Sequence, residues 1–167
     1  MRAILALALI LPSAALADGH VQERLTGTIV NPDGDEIGSV SVFDTASGVV
    51  RVTVAASPMA DGAHGIHLHE TGECEGDFSS AGGHVAGDAE HGLVEGGPHP
   101  GDLPNGFAAA DSLNYEAFST WVSIDDDLLD DDGTALIIHS GADDYVSQPS
   151  GESGDRIACA VLAEPSR

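Results

Sequence analysis

The sequence predicts an all-β domain, an antiparallel sandwich or barrel, on three observations. Valine, isoleucine and threonine recur in short alternating runs, turns rich in glycine, aspartate and proline separate them, and no stripe of helical period runs through any of them. In chain order, residues 25–30 alternate and end at the turn Asn31-Pro32-Asp33-Gly34. Residues 39–43 alternate again, and residues 49–55 resume the pattern after Ser47-Gly48. A strand carrying His67 and His69 comes next, followed by a long glycine-rich stretch without any period. Later strands are expected near residues 107–111, 117–124, 134–139 and 157–163. No internal repeat is evident.

Residues 1–17 read as a secretory signal peptide. Arg2 supplies the one charge, residues 3–11 are apolar, and Ala15-Leu16-Ala17 is a small-x-small cleavage site. A membrane anchor needs about 20 apolar residues, and this run is shorter. Cleavage after Ala17 is expected, leaving residues 18–167 as a single domain, free of the membrane and periplasmic or secreted. A remainder of about 150 residues suits one core.

Charge excludes some partners. The 167-residue chain has five cationic side chains, all arginine, against 28 acids, for a formal charge of −23. Loss of Arg2 with the leader leaves four arginines against the same 28 acids, or −24. Such a surface repels nucleic acid and anionic membranes. It suits a saline medium, because the Debye length falls from about 8 Å at 0.15 M salt to about 3 Å at 1 M. The acidic run at residues 125–133 fails as a calcium loop: counted back from Gly133, the first position is Leu128 and the twelfth is His139. It reads as a solvated hairpin tip.

Residues 62–102 hold six of the eight histidines. A buried imidazole needs a hydrogen-bond partner or a metal, and no core element has use for so many. His67 and His69 are two apart, so on a strand both rings point to one face and can reach one ion. His84, His91 and His99 follow, each beside a glycine or proline, with Asp102 three residues after His99. Three nitrogens and one carboxylate oxygen suit tetrahedral zinc, whereas an all-imidazole set suits copper. Two unlike metals are therefore within reach of one loop.

Several ordered motifs carry a resemblance. His64-Gly65-Ile66-His67-Leu68-His69-Glu70, Gly72 and Cys74, Ala81-Gly82-Gly83-His84, His91-Gly92 and His99-Pro100-Gly101-Asp102-Leu103-Pro104-Asn105 occur in that order. Leu136-Ile137-Ile138-His139, Ala142-Asp143-Asp144 and Gly154-Asp155-Arg156-Ile157-Ala158-Cys159 follow. Together they resemble the copper,zinc superoxide dismutase family, of the bacterial exported type, over nearly the whole mature chain. The resemblance implies a Greek-key β-barrel with long metal-binding and electrostatic loops. It implies copper held by His67, His69, His84 and His139, and zinc held by His84, His91, His99 and Asp102, with His84 shared as the bridge. Superoxide is the implied substrate, Arg156 its docking group, and Asp143 the carboxylate joining His67 to His91. His64 matches a family position that is not a ligand, and a structural hydrogen bond is expected for it.

Cys74 and Cys159 are the only cysteines, and an even count in an exported chain reads as a disulfide. Such a bridge would pin the metal loop beside Arg156; the alternative is two free thiols acting as ligands. The chain also departs from the family. Val85-Ala86-Gly87 stands where many relatives have Phe-Asn-Pro, and residues 145–154 are short and lack lysine. Steering of superoxide would then fall to Arg156 and the metals alone. Two other functions are weighed: a periplasmic copper and zinc carrier or buffer using the same ligands, and a plain β-sandwich interaction module that holds no metal. A carrier has no need of Arg156 or Asp143. The pattern of residues leaves monomer and homodimer equally open.

Overall fold

The computed structural model describes residues 22–165, so the expected leader lies outside the described residues. Eight strands follow in order: β1 (Gln22–Val30), β2 (Glu36–Asp44), β3 (Val50–Ala56), β4 (Gly62–His69), β5 (Asp102–Ala109), β6 (Ser112–Ser119), β7 (Thr134–His139) and β8 (Arg156–Leu162). They close into an antiparallel barrel in the spatial order β1-β2-β3-β6-β5-β4-β7-β8. Short turns join β1 to β2, β2 to β3 and β5 to β6, long loops join the neighbours β4 to β5 and β7 to β8, and the β3-to-β4 and β6-to-β7 connections cross between non-neighbours, which is the Greek-key arrangement. Pairing of Val30 with Cys159 and of Thr26 with Ala163 closes the seam.

Alternation builds the core. In β3, Val50, Val52, Val54 and Ala56 are buried while Arg51 and Thr53 are part-exposed. Leu25, Ile29, Val42, Ile66, Leu68, Leu103, Leu113, Leu136 and Ile138 fill the same interior. β7 breaks the rule, being buried at all six positions. Leu136 and Ile138 face the barrel, while Ala135 and Ile137 pack with Phe78, Ala81 and Cys159 in a second, smaller cluster. A sheet covered by loops on its outer face hides both sides of its strands.

Two sequence expectations need correction. The strands placed near residues 107–111 and 117–124 are β5, which starts at Asp102, and β6, which ends at Ser119. Their turn falls at Ala110 and Asp111, both at positive φ (51° and 65°), with no glycine to signal it. The acidic run is solvated but is no hairpin tip, because β6 and β7 are not neighbours. Its start, together with the preceding Ile124, forms a single wide turn over Ile124–Leu128. Ile124 and Leu128 are buried one turn apart, Asp125 and Asp126 face solvent, and Arg24 on β1 ties the turn down through Asp125 at 2.7 Å. Among the described residues no helix is long and apolar enough to cross a membrane.

Candidate metal centre

The site is built on the outer face of β4. Period-2 geometry turns Ile66 and Leu68 into the barrel and His67 and His69 out beneath the loops. The chain that returns with His84 is fastened to this strand: the Leu68 N–H donates to Gly101 O and the Val85 N–H to Leu68 O, both at 2.9 Å. His139 arrives on the neighbouring strand, since β7 pairs with β4. Nitrogens of His67, His69, His84 and His139 consequently lie within 4.8 Å of one another.

Each ring is oriented by the bond its other nitrogen makes. His69 Nδ1–H donates to Gly82 O at 3.0 Å and His139 Nδ1–H to Gly154 O at 3.1 Å. His67 Nε2–H donates to Asp143 Oδ2 at 2.9 Å. That leaves His67 Nδ1, His69 Nε2, His84 Nε2 and His139 Nε2, all buried, with no hydrogen-bond partner among the described residues. Four orphaned lone pairs converging on one point are the arrangement a cation would satisfy.

His84 turns its other nitrogen the opposite way. His84 Nδ1, His91 Nδ1 and His99 Nδ1 stand 2.9, 3.0 and 3.2 Å from Asp102 Oδ1. His91 also presents Nε2 to Asp143 Oδ1 at 3.1 Å. A neutral imidazole has one N–H and cannot donate to both carboxylates. A divalent cation accepting the Nδ1 lone pairs removes that conflict and matches a three-nitrogen, one-oxygen zinc set. Asp102 Oδ2 meanwhile accepts the backbone N–H groups of Gly92 (2.8 Å) and His99 (3.1 Å), which fixes the carboxylate.

Electrostatics keep the His69, His84 and His139 rings neutral and the Asp102 and Asp143 carboxyls ionised. Burial, helped by neighbouring rings, pushes His69 down to about 2 and His139 down to about 3. Burial likewise takes His84 to about 4 against the opposing pull of Asp102. Burial alone would raise Asp102, but the His84 ring and the Gly92 N–H outweigh it and hold the carboxyl well below its usual range. Asp143 is lowered in the same way, by His67, the Tyr145 N–H and His91 acting against burial.

Arg156 opens β8 beside the four-histidine set. Burial lowers its pKa, partly offset by Asp77, yet a guanidinium stays charged. Among the described residues it pairs with no acid: Nη1 donates to Phe78 O at 2.6 Å and Nη2 to Gly82 O at 2.7 Å. Gly82 O thus takes bonds from both Arg156 and His69. Cys74 and Cys159 form a disulfide, not a thiol pair, and it anchors the segment that carries both carbonyls. His64 is buried with both ring nitrogens on backbone carbonyls, His139 O at 2.7 Å and Ala60 O at 2.8 Å, in keeping with a structural role.

Two residues without a sequence-derived role complete the centre. Asn105 clamps Asp143 by its backbone: Nδ2 donates to Asp143 O and Oδ1 accepts the Asp143 N–H, each at 2.8 Å. Gly151, at φ 67°, runs across the Asp143–His91 hydrogen bond, where a β-carbon would strike both groups. The position of Asn105 three residues beyond Asp102 on β5 was the available signal for the first; the second has none short of the folded loop.

A family model for copper/zinc superoxide dismutase matches residues 36–162. The copper–zinc superoxide dismutase of Caulobacter vibrioides is 38% identical over 147 residues, covering 82% of this chain and 84% of that protein. A superoxide-dismutase-like protein from Bacillus subtilis has a similar structure, with a TM-score of 0.78 at 35% identity over 83% of this chain and 97% of that one. The Cu/Zn superoxide dismutase from Brucella abortus gives a TM-score of 0.68 at 30% identity over 81% and 97% of the two chains.

Proposed function

Since the chain belongs to the copper/zinc superoxide dismutase family, we propose that it converts superoxide to dioxygen and hydrogen peroxide with copper in the His67, His69, His84, His139 set and zinc in the His84, His91, His99, Asp102 set. The observation that carries this reading is the four converging nitrogens, without a hydrogen-bond partner among the described residues, beside a guanidinium held on two carbonyls. Copper held there would supply the one-electron redox chemistry by which one superoxide is oxidised to dioxygen and another, with two protons, is reduced to hydrogen peroxide, while zinc, without redox chemistry, would supply fixed charge.

The chain's own residues do the remaining work. Arg156, held on two carbonyls, attracts and orients the anion. His84 is the proton carrier: Nδ1 stays with the zinc set, and Nε2 is the atom that takes up a proton and delivers it to the departing product. Asp143 keeps a proton on Nε2 of both His67 and His91, so their Nδ1 lone pairs stay aimed at the two sets. Export behind the residue 1–17 leader, leaving one domain at residues 18–167, agrees with a disulfide of the oxidising compartments.

A copper and zinc carrier using the same ligands is the second reading, favoured by the likeness to a Bacillus subtilis protein called only superoxide-dismutase-like. Arg156 and Asp143 weigh against it. The test is His139→Ala in the chain loaded with both metals. The enzyme reading expects the copper bound and the superoxide decay rate both to fall while one zinc remains. Unchanged decay would contradict it.

A further inference from the structure

The loop that supplies Asp143 is a closed unit. The Asp144 N–H donates to Gly151 O at 2.9 Å and the Gly151 N–H to Ser147 O at 2.7 Å, which folds the segment back on itself. Gln148 sits in this fold-back, exposed to solvent, yet both ends of its side-chain amide bond to the opposite loop. Its Oε1 accepts the His91 N–H and its Nε2 donates to His91 O, both at 2.9 Å, so one amide copies a strand pairing across the gap. The same Nε2 reaches Val146 O at 3.4 Å, fixing the amide plane. Two residues along, the Leu93 N–H donates to Tyr145 O at 2.8 Å, and Gly92 lies between with no room for a β-carbon against that carbonyl.

His91 is therefore gripped by one loop at both ends. Asp143 holds its ring and Gln148 holds its backbone. We propose that Gln148 is a positioning residue for the zinc set: its amide registers the residue 143–151 loop on His91, so that zinc binding and docking of this loop favour each other. The inference rests on the zinc assignment made above. Two sites that share a state are linked reciprocally, so loosening the loop must weaken the metal by the factor with which the metal would have tightened the loop. Among the described residues Gln148 bonds to no member of the four-histidine set, which feels this loop only through Asp143 on His67, so the effect should be much larger on zinc than on copper.

The experiment compares wild type, Gln148→Leu and Gln148→Glu, each loaded with cobalt(II) alone as a zinc probe. The readouts are the cobalt absorption bands, the rate of cobalt release to a chelator, copper affinity, and the melting temperature of the metal-free chain. Gln148→Leu, which removes both amide bonds, is expected to release cobalt about tenfold faster or more, with shifted bands, copper affinity within about twofold and a small change in metal-free melting. Gln148→Glu, which keeps the acceptor for the His91 N–H, should lose less. Release and bands unchanged in Gln148→Leu overturn the inference alone. A loss matched by an equal drop in metal-free melting, with unshifted bands, also overturns it, as a purely structural role. A wild type that takes up no cobalt at these ligands overturns the zinc assignment and this inference with it.

Discussion

The α-carbon of Gly151 lies so close to the Asp143 carboxylate that an added β-carbon would collide with Asp143 Oδ1 and with His91 Nε2 behind it. Gly151 also takes a positive φ of 67°, where a side chain is strained in any case. Gly151→Ala should therefore separate Asp143 from His91 and weaken zinc binding by about 10- to 100-fold. Zinc titration of the metal-free variant measures this directly. Wild-type affinity would mean that the Asp143 link does not set the His91 ring.

Arg156 offers a second test through its two carbonyl partners. Arg156→Ala should lower the second-order rate with superoxide about tenfold or more, because the oriented positive charge is gone. Arg156→Lys keeps a charge but cannot span Phe78 O and Gly82 O as a fork. Its rate should fall between the other two. Equal rates for all three would remove Arg156 from the account.

Salt should do little harm to the rate. Among the described residues Arg24 is paired with Asp44 and Asp125, and Arg51 with Glu116, so neither offers a free positive field. With no lysine and 28 acids, the long-range field repels superoxide, and screening relieves the repulsion. Raising salt from about 0.02 to about 0.5 M, across the range where the Debye length shrinks several-fold, should leave the rate flat or raise it. A steep fall would point to cationic steering from elsewhere.

Acid should destabilise the metal-free chain early. His69, His84 and His139 have folded pKa values of about 2, about 4 and about 3, below the ordinary 6.5. Between pH of about 6.5 and about 4 the unfolded chain therefore binds more protons, and stability falls as pH falls. Asp102 and Asp143, also lowered, add stability that is present above the ordinary carboxylate value of 3.8 and is lost as pH drops through their folded values. Both effects have the same sign. The denaturation midpoint of metal-free protein should be lower at a pH of about 5 than at about 7.5, and bound metal should shift that loss to lower pH. Equal midpoints would mean that the rings are not buried neutral.

What the sequence made legible follows from chemistry that repeats. His67 and His69 declare a shared face by their spacing, and β3 declares its buried valines by alternation. The turn at Ala110 and Asp111 stayed hidden because Ala110 rarely takes a positive φ and no glycine marks the pair, leaving Asp111 as the lone turn signal. The acidic run misled because its charges masked Ile124 and Leu128, the two residues that dock it. Asn105 grips the Asp143 backbone from 38 residues away with its side-chain amide, and its place three residues beyond Asp102 hints at the site without naming that partner. Contacts of that kind appear only once the loops are folded onto the barrel.

The most direct measurement is the second-order rate of superoxide decay by pulse radiolysis, using the chain loaded with one copper and one zinc. The account predicts a rate approaching about 10⁸ to 10⁹ M⁻¹s⁻¹, the diffusional ceiling. A rate no higher than that of copper bound to an unrelated histidine-rich protein would contradict it, and the ligands would then serve storage or transport.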